Sequence, residues 1–410
     1  MTDASVSSER VRATRRQFLL GGAAAGAGAA AALGATMLPG AAASAAEAAP
    51  REPSVHGGET VSFHGPHQAG IATPAQAHAV FLALDLREGV DRDALRRLMR
   101  TLSDDAARLM RGAGALADTE PELAAAPARL TVTFGFGPGF VARAGGAAPA
   151  WLRPLPAFGV DRLRPEYGDG DLLLQIAADD PLTVAHAARM LLKDARGTAR
   201  VRWRQQGFRR AYGTEAPGTT MRNLFGQVDG TVNPKPGTAD FDEVVWIDDG
   251  SWLAGGTGMV FRRIRMDVDG WDRIDRAGRE QSVGRRLSDG APLTGRKEHD
   301  EPDFDAKDAL GFPVIPAFSH VRRARSDNPR ERIFRRAYND DAAPTGDEVS
   351  ESALLFVSFQ ADIDAQFVPL QRRLDELDLL NTWTTPIGSA VFAIPPGCEK
   401  GGWIGETLLG

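Results

Sequence analysis

Residues 172–208 read LLLQIAADDPLTVAHAARMLLKDARGTARVRWRQQGF, and this stretch decides the fold. Leu172–Ala178 is a short apolar run closed by two aspartates, which predicts a buried strand. Pro181 to Asp194 predicts a helix, with Asp179 or Asp180 as its cap and proline near the first turn. Val201–Phe208 predicts a second strand. Upstream, Ala79–Leu86 reads as a strand, and Asp91 to Leu116 carries Leu95, Leu98, Met99, Leu102, Ala106, Leu109 and Met110 at helical spacing. Leu130–Gly137 alternates and reads as a strand. The sum is β-α-β-β-α-β, the order of a ferredoxin-like unit.

The second half repeats that order. Val244–Ile247 and Gly258–Met266 predict strands, and Asp272–Val283 a short helix. Leu354–Phe359 predicts a strand, and Ile363–Leu377 a helix with Phe367, Leu370 and Leu374 on one face. The expected class is α+β, with two ferredoxin-like domains from an internal duplication. Residues 284–319, rich in Arg, Lys, Asp, Gly and Pro, form a long insertion without periodicity, and long ordered loops tend to be functional.

Composition narrows the function. The chain has 410 residues, 43% hydrophobic and 25% charged, ordinary for a globular protein. A formal net charge of −6 excludes a general nucleic-acid binder. The single cysteine, Cys398, excludes an intramolecular disulfide and a thiolate metal cluster. Thr14-Arg15-Arg16-Gln17-Phe18-Leu19-Leu20, a weakly apolar run to about Met37, and Ala43-Ser44-Ala45 read as a twin-arginine export signal with its cleavage site. The Tat export machinery is therefore an expected partner, and the mature chain an extracytoplasmic one. The rest of the chain lacks a stretch of about 18 apolar residues, so no stable membrane span is expected.

The chemistry gathers around Phe225-Gly226-Gln227-Val228-Asp229-Gly230-Thr231-Val232-Asn233-Pro234. Gly226 and Gly230 leave the backbone around Asp229 free to bend and open to close approach by another group. A bare G-x-x-D-G is also a common solvated turn. Two later residues add weight: His320 in Phe318-Ser319-His320-Val321-Arg322, and Arg335 in Ile333-Phe334-Arg335-Arg336.

Together with His64-Gly65-Pro66-His67-Gln68-Ala69-Gly70-Ile71 and the leader, these motifs resemble the dye-decolourising peroxidases, in the exported bacterial type, from about residue 60 onward. The resemblance implies two ferredoxin-like domains with haem b (iron protoporphyrin IX) between them. It divides the chain into a signal peptide (1–45), a flexible lead-in (46–66), an N-terminal domain (67–235) and a C-terminal haem-binding domain (236–410). His320 matches the proximal ligand and sole metal ligand, which supplies a neutral imidazole nitrogen to iron. Asp229 and Arg335 match the distal acid and arginine, with Arg336 one step away as the alternative to Arg335.

On that basis Asp229 is the general acid–base toward hydrogen peroxide. Arg335 stabilises the negative charge that develops as the O–O bond breaks. A proximal histidine donates its second nitrogen to an acceptor, for which Asp362 is the expected residue and Asp364 the runner-up. Arg322 is expected on a haem propionate, and Thr231 and Asn233 at the haem edge. Phe356, Phe359 and Phe367 read as core, and His64 and His67 as structural. The expected function is peroxide-dependent oxidation of small organic reductants such as dyes and phenolics. The alternative is a haem-handling, iron-acquisition protein with incidental peroxidase activity. A homo-oligomer is left open.

Overall fold

The computed structural model describes residues 55–344, 346 and 351–410. The arginine-pair leader and the expected 1–45 segment lie outside the described residues. The first half runs β1 (His78–Leu86), α1 (Arg92–Met110), β2 (Thr131–Phe136), α2 (Pro138–Ala144), β3 (Leu172–Ala178), α3 (Pro181–Ala195) and β4 (Ala199–Phe208). Asp91 and Asp180 cap α1 and α3, accepting from the backbone N–H of Ala94 and Thr183, each at 2.8 Å.

The second half runs α4 (Ala239–Val245), β5 (Thr257–Met266), α5 (Val268–Asp272), α6 (Arg276–Val283), α7 (His320–Arg323), β6 (Phe334–Arg335), β7 (Tyr338–Ala342), β8 (Glu351–Gln360), α8 (Val368–Leu377), β9 (Thr384–Ile394) and α9 (Glu406–Leu409). A π-turn, Ile363–Phe367, leads into α8. The expected strand at Val244–Ile247 is corrected: it is the end of α4 and the turn after it. Thr238 caps that helix through Phe241 N–H, and Phe241, Val244 and Val245 bury one helical face. The expected helix at Asp272–Val283 is broken into α5 and α6 at Arg273-Ile274-Asp275.

All strand pairs are antiparallel and join one nine-stranded sheet, which has two halves, a first sheet and a second sheet. The first is ordered β2-β3-β1-β4; in the second, β9-β5-β8 continues to β7, and β6 also pairs with β8. The sheets meet at two seams, Phe136 opposite Ala393 and Phe208 opposite Asn339, so eight strands close into a barrel-like ring. A glycine stands beside each seam. A Cβ on Gly135 would lie 2.8 Å from Ile394, and one on Gly207 would lie 2.5 Å from Tyr338.

The inward faces carry an aromatic core that includes Phe81, Trp203, Phe261, Tyr338 and Phe392. The outer face of the first sheet is sealed by α1 and α3. Leu95, Leu98, Met99 and Leu102 of α1 pack there, each worth roughly 1.5–3 kcal/mol when fully buried. The outer face of the second sheet instead forms one wall of a cavity of about 740 Å³.

Candidate active site

The distal turn is built first. Asn223 and its neighbours fold back so that Arg222 pairs with Val228, and the N–H of Asp229 donates to Met221 at 2.8 Å. Gly230 follows at φ 128°, a conformation that favours glycine. The Asp229 side chain enters the cavity and accepts from Arg335 Nη1 at 2.7 Å. These two residues stand 106 positions apart, so the fold alone brings them together.

Strand β6 selects between the two arginines by the period of two. Phe334 and Arg336 point one way, Phe334 into the barrel core and Arg336 to Gln76 at 2.5 Å and the Thr73 carbonyl. Arg335 between them faces the cavity. Asn233 fixes the Arg335 backbone in both directions: its Nδ2 donates to the Arg335 carbonyl at 2.7 Å, and its Oδ1 accepts from the Arg335 N–H at 3.1 Å.

His320 opens α7 and borders the same cavity. Its Nδ1 donates to Asp378 Oδ2 at 2.6 Å. Nε2 has no hydrogen-bond partner among the described residues. Burial pulls the His320 pKa down, but the charge and hydrogen bond of Asp378 outweigh it, and the net displacement is upward. The charges of Arg335 and Asp229 also reach the ring, so the three residues share one electrostatic environment.

Three expected placements are corrected. Asp362 does not meet His320; it caps the π-turn, accepting from Ala365 N–H at 2.9 Å, and Asp364 pairs with Arg153 at 2.8 Å. The partner of His320 stands at the other end of the same helical segment, just past α8. A carboxylate at a helix C-terminus opposes the helix dipole, and Asp378 has His320 and the N–H of Leu380 to offset that. Arg322 turns from the cavity to donate to the carbonyls of Phe304 and Ile315 at 2.8 and 3.2 Å. Asn233 holds Arg335 rather than lining the cavity, while Thr231 does line it. Of the three phenylalanines, Phe356 and Phe367 wall the cavity and Phe359 lies in the barrel core.

Sequence reasoning passed over two buried arginines on the cavity wall. Arg262, on β5, is almost fully buried, pairs with Asp161, and leaves Nε and Nη1 without partners. Arg285 donates to the carbonyls of Gly290 and Glu298, both at 2.8 Å. Burial lowers its pKa; Glu298 opposes that shift and Arg335 adds to it. A charged residue in the middle of an apolar strand such as Gly258–Met266 was the available signal for Arg262.

The cavity fits a haem. Its volume lies within the usual range for cofactor sites, and its wall is mostly aliphatic and aromatic. One imidazole nitrogen faces it unpaired, and a buried guanidinium with unpaired nitrogens can take an anionic edge. Every lining residue lies between Asn223 and Pro386, so the site stands on the outer face of the second sheet.

Residues 68–209 match the Dyp-type peroxidase N-terminal domain, and residues 220–399 match its C-terminal domain. The chain is 37% identical over 359 residues to a dye-decolorizing peroxidase of Thermobifida fusca, covering 83% of each chain. It is 34% identical over 371 residues to a deferrochelatase of Yersinia pestis, covering 85% of this chain and 84% of that one. The crystal structure of a DyP-type peroxidase from Cellulomonas bogoriensis superposes with a TM-score of 0.84 at 53% identity, covering 87% of this chain and 99% of that one. The chain belongs to the Dyp-type peroxidase family. It is accordingly a haem peroxidase, with peroxide as the oxidant.

Proposed function

We propose that His320 holds the haem iron through Nε2, that Asp229 moves the peroxide proton, and that Arg335 carries the charge. The supporting observation is the Asp229–Arg335 contact of 2.7 Å in a cavity that His320 also borders. The haem supplies the redox-active iron at which peroxide is reduced. Asp229 takes a proton from one peroxide oxygen and returns it to the departing oxygen, which leaves as water. The Arg335 guanidinium stays protonated and pre-organised beside the breaking bond, where developing negative charge needs a donor. Asp378 fixes the His320 ring and raises its basicity as a ligand. Arg262, rather than Arg322, is the residue we assign to a haem carboxylate.

Small organic reductants, dyes and phenolics among them, complete the proposed turnover. The matching strand orders, β2-β3-β1-β4 and β7-β8-β5-β9, support a duplicated ferredoxin-like architecture. The Arg15-Arg16 motif supports export by the twin-arginine route. Similarity to the Yersinia deferrochelatase supports a second reading, in which the protein handles haem iron. Porphyrin fluorescence after incubation with haem tests it, since iron-free porphyrin appears only if the metal is removed.

Rapid mixing of haem-loaded variants with hydrogen peroxide tests the main reading. Arg335→Leu should slow the haem absorbance change by about 10²–10³-fold, the cost of one pre-organised donor. Asp229→Ala should slow it by about 10²–10⁴-fold. Neither should lower haem content. An Arg335→Leu variant that reacts at the wild-type rate would overturn the distal assignment.

A further inference from the structure

The insertion at residues 284–319 places Arg285, Pro302 and Phe304 on the cavity wall, and its first turns press on the distal segment at four places. Arg222, which pairs with Val228, donates to the carbonyls of Leu287 at 2.6 Å and Ser288 at 2.8 Å. Gly290 sits at φ 72° against Val228, the residue before the distal acid, and a Cβ there would lie 2.9 Å from the Val228 Cβ. Glu298 makes the other two contacts. Its Oε1 accepts from the Thr220 hydroxyl at 2.6 Å and from the Thr231 hydroxyl at 2.9 Å. Thr220 precedes Met221, whose carbonyl accepts from the Asp229 N–H, and Thr231 follows Gly230. One carboxylate oxygen thus ties the two ends of the loop that presents Asp229.

We infer that Glu298 is a positioning residue for the distal acid, and that the insertion is the clamp that carries it. The inference rests on the reading of Asp229 as the proton carrier. Gly230 has φ 128°, and a Cβ there would meet nothing nearer than Thr220 Cγ2 at 3.4 Å. On its Gly230 side, therefore, the turn has little side-chain packing of its own. Charge-assisted hydrogen bonds from two hydroxyls to one carboxylate supply that order. Without them the Asp229 carboxylate can leave the line set by Arg335, and a small misplacement of a catalytic group is costly.

The test uses the haem-loaded full chain with hydrogen peroxide. Glu298→Ala should slow the peroxide reaction by about 10- to 100-fold, the range for losing a residue that orients a catalytic group. It should also move the pH profile of that rate and speed hydrogen exchange in the peptide spanning residues 220–231. Glu298→Gln keeps an acceptor oxygen and should restore all three to about twofold of wild type. Because Glu298 acts through Asp229, adding Glu298→Ala to Asp229→Asn should slow the reaction by less than about twofold further. Where Glu298→Ala fails to fold, Thr231→Val removes one of the two bonds and carries the same comparison. An unchanged rate and pH profile in Glu298→Ala would overturn the inference. So would Glu298→Gln as impaired as the alanine variant, or an additive double variant. If Asp229→Asn alone reacts at the wild-type rate, the proton-carrier reading has failed, and the inference falls with it for that separate reason.

Discussion

Among the described residues, one histidine–aspartate pair stands in each half, and the two differ in what the second ring nitrogen meets. In the first half His186 Nε2 lies 2.8 Å from Asp118 Oδ2, with side-chain exposures of 2% and 1%. Its other nitrogen meets Arg189 at 3.5 Å. In the second half His320 Nδ1 lies 2.6 Å from Asp378, with exposures of 32% and 3%. Its other nitrogen faces the cavity. The aspartate orients the ring in both. Only the second ring has a nitrogen to offer, so a His–Asp pair marks a ligand site when it leaves one nitrogen and an open volume beside it.

The same contrast separates the sheets. The first sheet has helices packed directly on its outer face, while the second has a cavity there. The most direct attack on this comparison is to remove each histidine. His320→Ala should lose the haem altogether, read as haem per chain after purification. His186→Ala should keep full haem and lose only stability, because it removes one hydrogen-bond partner of the buried Asp118 carboxylate, at a cost of about 1–3 kcal/mol. Haem loss in both variants, or in neither, would erase the distinction between the pairs.

A smaller effect sharpens it. Asp378→Asn keeps a carbonyl acceptor for His320 but removes the charge. Haem affinity should fall by about 10- to 100-fold, as for partners that orient metal-bound histidines elsewhere. Haem transfer to an apo-globin acceptor measures this. Asp362→Asn, on the residue that caps the π-turn, should leave the transfer rate within about twofold of wild type.

These residues also show which parts were legible in the sequence. The β-α-β-β-α-β order of the first half was readable because its strands are short apolar runs and its helices carry aspartate caps. Arg335 and Asp229 were reachable through motif order, and the alternation of β6 then explains why Arg335 rather than Arg336 enters the cavity. Asp378 was not reachable by motif matching, which pointed to Asp362, and helix signals give no weight to an acid at the end of a helix. Strand β9 was hidden by Pro386 and Gly388, two residues usually read as breakers. They sit where the β5–β9 register slips, with Ile264 opposite Pro386 and Arg263 opposite Gly388. A bulge of this kind admits proline into a strand. The clamp at Glu298 was invisible, because its partners lie 67 and 78 positions away.

The smallest expected effect lies entirely in the first half and leaves the site untouched. Asp105 on α1 and Asp194 on α3 lie together, and each has an Oδ2 atom buried without a hydrogen-bond partner. Burial, and then the charge of Asp105, push the Asp194 pKa up to about 7, so at mildly acidic pH Asp194 holds a proton. The nearby Asp118 moves the other way. Burial raises its pKa, but the Glu120 backbone N–H and the hydrogen bond and charge of His186 together prevail and lower it. The two carboxylates therefore give opposite pH dependences. Asp118 contributes stability that is present above the unfolded carboxylate pKa of about 3.9 and is lost as pH falls through its lower folded value. The Asp194 proton contributes stability that is full below about 3.9 and is lost as pH rises through about 7. Urea unfolding of wild type and Asp194→Asn between pH 4 and pH 8 isolates the second term, since the asparagine keeps a neutral, hydrogen-bonding group beside Asp105. The variant should match wild type near pH 4 and become the more stable of the two toward pH 8. The rate with peroxide should stay within about twofold of wild type throughout, because Asp194 lies on α3, outside the cavity wall. A stability difference that does not change with pH would mean that Asp194 takes up no proton in that range, and the contrast between the two carboxylates would disappear.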